Sequence, residues 1–327
     1  MNDSRPARHI DTLRQMLDRR IQALGLHGES QVLHEACTYV LNGGGKRIRG
    51  ILLLLACESV GGKIRSALDA GAAIEALHNF TLVHDDIMDN ADSRRGRPTI
   101  HKRWDENTAI LAGDVLLGLA YQSLAKTRAR QSTRLFELLT KGVIEVCDGQ
   151  AVDMDFAKRT DVTLPEYFSM IEKKTGSLIA SAMEMGALIG GGKPAEVRAL
   201  RKFGKYLGRA FQLQDDLLDV VADEKQLGKP VGGDIAEGKK TFLLISAAGV
   251  AQGEDKDLVN LVLQRKARRE MVGAMTDLYQ RYGILDQAGN RILHDTRKAA
   301  SALDSLRPSR ATETLHWLAR ALVHRAS

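Results

Sequence analysis

Along most of the chain, apolar residues return every three or four positions. In HIDTLRQMLDRRIQALGL (9–26) they fall at Ile10, Leu13, Leu17, Ile21 and Leu24, the stripe of an amphipathic helix. IRGILLLLACESV (48–60), ALDAGAAIEALHNFTLVHDDIMD (67–89) and GDVLLGLAYQSLAKTRA (113–129) read the same way or as fully buried helices. So do STRLFELLTKGVIEVCDGQAVDMDF (132–156), LPEYFSMIEKKTGSLIASAMEMGALIGG (164–191), EVRALRKFGKYLGRAFQLQDDLLDVVAD (196–223) and TETLHWLARALVH (312–324). No segment alternates with period two, and no Asn-Gly or Asp-Gly pair signals a hairpin. The interruptions are short: NGGGKR (42–47), NADSRRGRPT (90–99), GGGKPAE (190–196) and EKQLGKPVGGDIAEGK (224–239). With no Pro- or Ser-rich linker, residues 1–327 are expected to form a single all-α domain, an antiparallel bundle of about ten or more helices. The charged run QRKARRE (264–270) is expected to be a solvated helix face.

Composition narrows this picture only a little. Charged residues are 27% and hydrophobic ones 44% of 327, the balance of a soluble globular protein. A net charge of +6 without a basic stripe gives no case for nucleic acid. Three cysteines without a CxxC pair fit a reduced, cytoplasmic chain with no zinc site, the thiols being core bystanders. The N-terminus MNDSRPARHIDTLRQ is too polar for a secretory signal. ILLLLAC (51–57) is too short to span a bilayer, so no membrane insertion is expected.

The chemistry lies in two stretches, LVHDDIMDNADSRRGRPT (82–99) and QLQDDLLDVVADEKQLGKPVGGD (212–234). Each carries DDxxD after an apolar helical run: Asp85, Asp86 and Asp89, then Asp215, Asp216 and Asp219, the copies 130 residues apart. Positions i and i+4 share a helix face, so Asp85 lies above Asp89 and Asp215 above Asp219. Two such carboxylates ~6 Å apart repel by about 3 kcal/mol at an effective dielectric of 20. Hard oxygen ligands so crowded call for Mg²⁺, Ca²⁺ or Mn²⁺, and Mg²⁺ commonly completes its shell with phosphate oxygens. The cations nearby answer to a phosphate ligand. Arg94 and Arg95 suit bidentate pairing, and Lys46, Arg47 and Arg49 sit beside flexible glycines. Lys229 and Lys239 flank Asp234 and can neutralise a leaving group, and His78 stands two turns before Asp85 on about the same side. The order of residues is not that of a P-loop.

These residues resemble the trans-isoprenyl diphosphate synthase family, the chain-elongating prenyltransferases, over almost the whole chain. The matching segments are GGKRIR (44–49), LVHDDIMDNADSRRGRPT (82–99), GDVLLG (113–118), GQAVDMDF (149–156), KTGSLIA (174–180), FQLQDDLLD (211–219) and GKPVGGDIAEGKKT (228–241). The resemblance implies an all-α isoprenoid-synthase bundle with a central apolar cavity, usually a homodimer. It implies three Mg²⁺ held by Asp85, Asp86, Asp89, Asp215, Asp216 and Asp219. Arg94, Lys174, Lys229 and Lys239 would contact the allylic diphosphate, with Thr175 and Gln212 lining the reaction centre. Gly45, Lys46, Arg49, His78 and Arg95 would hold isopentenyl diphosphate. KKTFLLI lacks a proline often found shortly after the threonine, which puts no catalytic role in doubt.

Phe80 and Thr81, five and four positions ahead of Asp85, are the expected floor of the product tunnel. In the resembling family two aromatics there accompany C15 products and small residues long chains. One aromatic and one threonine imply C20, geranylgeranyl diphosphate, with farnesyl diphosphate or a longer polyprenyl diphosphate as alternatives, or a floor set near Leu116 or Tyr121. A class I terpene cyclase would normally replace the second DDxxD and has no need for GGKRIR. A non-catalytic partner subunit would be expected to have lost one motif's carboxylates.

Overall fold

Capping explains where several helices begin. Ser4 accepts from the Ala7 amide and Pro6 occupies the first turn, opening α1 (Arg5–Gln22). Thr163 and Glu166 form a reciprocal capping box at the start of α8 (Leu164–Ile171). The computed structural model describes residues 4–26, 28–222 and 231–323. Between α1 and α8 run α2 (Gln31–Leu41), α3 (Ile48–Ser59), α4 (Ile64–Met88), the short α5 (Ile100–Arg103), α6 (Glu106–Ala125) and α7 (Ser132–Phe156). After α8 come a π-helical turn (Glu172–Gly176), α9 (Ser177–Ile189) and α10 (Pro194–Val221). The chain continues through α11 (Gly233–Glu237), α12 (Phe242–Val250), α13 (Gly253–Leu263), α14 (Met271–Arg281), α15 (Ile284–Ala302) and α16 (Arg310–Val323). The all-α expectation holds.

The helices gather into two units. One comprises Met1–Val143, Leu178–Arg201 and Leu303–His316. Here α4 packs most extensively on α6 and α3, and also on α1. The run ILLLLAC is wholly buried in α3, as a helix apolar on every side must be. Among the described residues only α6 has the length and apolar composition of a membrane span, and it packs on α2, α4 and α5. The second unit comprises Ile144–Ser177, Lys202–Ala302 and Trp317–Ser327. Its core gathers Phe156, Ile171, Leu213, Phe242, Tyr279 and Ile292.

Four expectations need correction. A two-stranded hairpin exists: β1 (Ser93–Arg94) pairs antiparallel with β2 (Arg97–Pro98). Its turn residues Arg95 and Gly96 have φ of 55° and 71°, the doubly positive pattern of a type I′ turn, here made by Arg-Gly instead of Asn-Gly. QRKARRE is solvent-exposed but connects α13 to α14 and is not a helix face. The stretch read as one helix over 164–191 contains the π turn. Cys37 and Cys57 are buried, whereas Cys147 is exposed and no core residue.

Candidate active site

The first DDxxD closes α4. Asp85 and Asp86 lie in its last turn and Asp89 is its C-cap, the Asp89 amide donating to the Asp85 carbonyl at 2.8 Å. A helix C-terminus carries about half a negative charge, so carboxylates here are disfavoured unless a cation joins them. One cation comes from the chain. The hairpin returns Arg94, whose Nε donates to Asp86 Oδ1 at 2.6 Å. Asp86 is only 6% exposed, and burial pushes its carboxyl upward against the pull of Arg94. Asp89 is exposed and Asp85 half-buried.

The same unit assembles most of the isopentenyl diphosphate candidates. Arg49 Nη1 donates to His78 Nε2 at 3.0 Å. Since guanidinium only donates, that nitrogen is the unprotonated one. Burial first, then the charges of Arg49, Arg95, Arg94 and Arg47, drive the His78 pKa well below its usual value. His78 is therefore neutral at pH 7. Arg95 donates to the Gly44 carbonyl, and its guanidinium lies so close to Gly45 that an added Cβ would stand 2.9 Å from Cζ. Lys46 is exposed beside them. Beneath, Glu75 is 2% exposed and accepts from the Gly50 amide at 2.8 Å. Burial raises its carboxyl while Arg47, Arg49 and Arg95 lower it. Arg47 departs from expectation: it is 5% exposed and braces α1, donating to Asp18 at 2.9 Å and to the Leu41 carbonyl at 2.7 Å. A cleft of about 50 Å³ opens beside Asn79, Asp86, Arg94, Arg95 and Arg97.

Phe80 is 7% exposed, with its ring edge-on to His84 at 4.8 Å. Thr81 is half-buried and its hydroxyl donates back to the His78 carbonyl at 2.8 Å. Leu116 is fully buried, and Tyr121 hydrogen-bonds Thr140 at 2.9 Å.

The second DDxxD lies near the C-terminus of α10 and is compensated differently. Asp215 is exposed, Asp216 and Asp219 only 3% and 1% so. Tyr167 donates its hydroxyl to Asp216 Oδ2 at 2.6 Å, and Gln212 Nε2 donates to Oδ1 at 3.0 Å. Thr175, on the π turn, donates to Gln212 Oε1 at 2.9 Å, so a chain of hydrogen bonds joins that turn to the motif. Such π turns recur at functional sites. Burial foremost holds Asp216 above the usual carboxylate range. Asp219 Oδ2 accepts from the Asp234 amide at 2.8 Å. Lys174 donates to Asp153 at 2.6 Å and Lys239 to Asp234 at 3.3 Å. Burial opposes the Lys239 charge, yet Asp234, Asp216 and Asp153 hold its pKa above the usual range. Lys229 lies outside the described residues. Tyr167 and Asp153 were not singled out by sequence: a tyrosine in an apolar helix carries no signal of its partner.

Among the described residues, no three Asp, Glu, His or Cys side chains form a ready-made metal cluster. The donor set nevertheless fits Mg²⁺. Each motif by itself offers hard carboxylate oxygens, with Asp85 half-buried and Asp89 exposed in the first and Asp215 exposed in the second. One or two carboxylates completed by substrate phosphate is how Mg²⁺ is usually bound.

Comparison with known proteins decides the family. The profile described as polyprenyl synthetase matches residues 30–280. The chain belongs to the polyprenyl synthetase family. A short chain isoprenyl diphosphate synthase of Methanothermobacter thermautotrophicus is 40% identical over 97% of this chain and 98% of its own. The crystal structure of a geranylgeranyl pyrophosphate synthetase from Pyrococcus horikoshii superposes with a TM-score of 0.92 at 38% identity, covering 98% of both chains. A polyprenyl synthase from Caulobacter crescentus, solved with calcium and isoprenyl diphosphate, gives 0.88 at 26% identity, covering 99% of this chain and 98% of that one. This polyprenyl synthetase is thus an isoprenyl diphosphate synthase with the all-α isoprenoid-synthase fold.

Proposed function

We propose that this synthase condenses isopentenyl diphosphate with short allylic diphosphates and stops mainly at C20, geranylgeranyl diphosphate. The observation that carries the product length is the buried Phe80, one aromatic followed by the smaller Thr81 ahead of Asp85. The name of the Pyrococcus relative supports it.

Asp85, Asp89 and Asp215 would hold Mg²⁺, up to three ions with the substrate, and Asp86, Asp216 and Asp219 would keep the motifs in shape. Bound Mg²⁺ supplies Lewis-acid stabilisation of negative charge on the diphosphate oxygens. Arg94, Lys174, Lys229 and Lys239 neutralise the departing allylic diphosphate as its C–O bond breaks. Gly45, Lys46, Arg49, His78 and Arg95 anchor isopentenyl diphosphate so that its double bond meets the allylic cation. A C–C bond forms, and a proton leaves to the released diphosphate. Neutral His78 orients and does not act as base. The reduced, buried Cys37 and Cys57 support a cytoplasmic location, and exposed Ile110 and Leu111 on α6 support pairing with a second copy.

The test is incubation of the protein with Mg²⁺, isopentenyl diphosphate and, separately, dimethylallyl, geranyl and farnesyl diphosphate, with products resolved by chain length. C20 accumulating from all three is expected. A stop at C15, or extension well past C20, overturns the product assignment, and failure to condense at all overturns the substrate class.

A further inference from the structure

Gly113 is a glycine in the interior of α6, where alanine would be better by about 1 kcal/mol. Something must exclude a side chain there, and it is His84. A Cβ on Gly113 would overlap the His84 imidazole. The ring is seated from two more sides. His84 Nε2 lies 3.2 Å from the Ile110 carbonyl, which can only accept, so Nε2 carries the proton. The ring of Phe80, one turn back on α4, meets it at a centroid distance of 4.8 Å and an interplanar angle of 65°. Phe80 and His84 are i and i+4 on one helix face, and edge-to-face pairs of this kind favour one mutual orientation.

We infer that His84 is a positioning residue for product length: seated in the notch at Gly113, it fixes the Phe80 ring as the floor of the chain-elongation tunnel. The inference rests on the reading of Phe80 given above and adds to it. A phenyl ring bordered only by flexible neighbours would yield to a growing polyprenyl tail. Backed by an imidazole that is itself hydrogen-bonded to α6, it does not. The small residue at 113 and the carbonyl of 110 therefore belong to the ruler although neither touches the chain.

Two measurements test this. The first is product length, read as a ratio of chain lengths and so independent of total turnover. His84→Ala, which removes the ring without creating a clash, raises the share of products longer than C20 several-fold, as does Phe80→Ala. If Phe80→Ala lengthens the products and His84→Ala leaves them at C20, the buttress is overturned and the Phe80 floor stands. If neither lengthens them, the Phe80 floor itself falls, and the inference with it. The second is a stability cycle by thermal melting. Gly113→Ala lowers the midpoint in the wild-type background. In the His84→Ala background it leaves the midpoint unchanged or raises it, because the clash is gone and helix propensity remains. A Gly113→Ala penalty of equal size in both backgrounds overturns the notch.

Discussion

The two aspartate motifs share a pattern and a position near the C-terminal end of a long helix, yet they are neutralised by opposite means. At Asp86 the partner is a cation: Arg94 reaches it through a side-on Nε contact at 2.6 Å. At Asp216 the hydrogen-bond donors are neutral, a tyrosine hydroxyl at 2.6 Å and an amide at 3.0 Å. Burial raises both carboxyls, Asp86 against the pull of Arg94 and Asp216 against that of Lys239. The first motif is thus charge-compensated by its own loop. The second holds its charge against a polar network and gains more from an added cation. One five-residue pattern therefore does not specify one electrostatic environment, because the compensating groups lie outside it.

The largest expected effects break the motifs themselves. Asp85→Ala or Asp215→Ala should lower turnover by roughly 10²–10³-fold or more. Chelation of divalent metal should abolish turnover in the wild type. Near-normal turnover in either variant would remove that residue from the metal set.

Next come the compensating groups, which sharpen the contrast. Tyr167→Phe leaves a buried carboxylate one donor short, so unfolding should ease by about 1–3 kcal/mol and half-maximal activity should need more Mg²⁺. Arg94→Ala should instead raise the KM for the allylic substrate, because Arg94 is also proposed to meet the diphosphate. Identical kinetic signatures in the two variants would mean the motifs are compensated alike.

A smaller effect separates the two diphosphates. Arg49→Ala and His78→Ala should raise the KM for isopentenyl diphosphate more than that for the allylic substrate. Equal increases in both would show that the two anchoring sets were drawn wrongly.

The smallest effect is on pH, and its sign differs between His78 and Asp216. His78 titrates below its ordinary value of about 6.5, so as pH falls the unfolded chain takes up that proton first. Stability is full above about pH 6.5 and falls below it, and His78→Gln should flatten that fall. Asp216 titrates above the ordinary carboxylate value, so the folded chain keeps a proton that the unfolded chain has lost. Its contribution to stability falls as pH rises from about 4, and Asp216→Asn should remove that loss. Melting midpoints measured from pH 4 to 8 check both, and parallel curves for wild type and variants would refute the assignments.

Helix type and the two aspartate motifs were legible in the residues because each depends on spacing within one helix. Apolar residues three and four apart make the stripe, and aspartates four apart share a face, wherever the helix ends up. The family resemblance likewise rested on local words such as GGKRIR and KTGSLIA. What could not be read there depends on partners far apart in sequence or on backbone detail. Arg47 looked like a phosphate ligand because it sits between Lys46 and Arg49, but its left-handed φ of 51° turns it toward Asp18, and only the packing of α1 reveals that. The Arg95–Gly96 turn lacks the usual hairpin dipeptide. The π turn that carries Thr175 to Gln212 leaves no mark on a pattern of apolar positions. Tyr167 and Asp216 are 49 residues apart, and Gly113 is a bare glycine until His84 fills the space beside it. The sequence by itself determined the helices and the crowding of like-charged side chains along them, because chemical type and helical period are local. Tertiary structure alone decided which of them are exposed, which are braced and what stands behind Phe80, because burial and hydrogen-bond partnership exist only once distant segments meet.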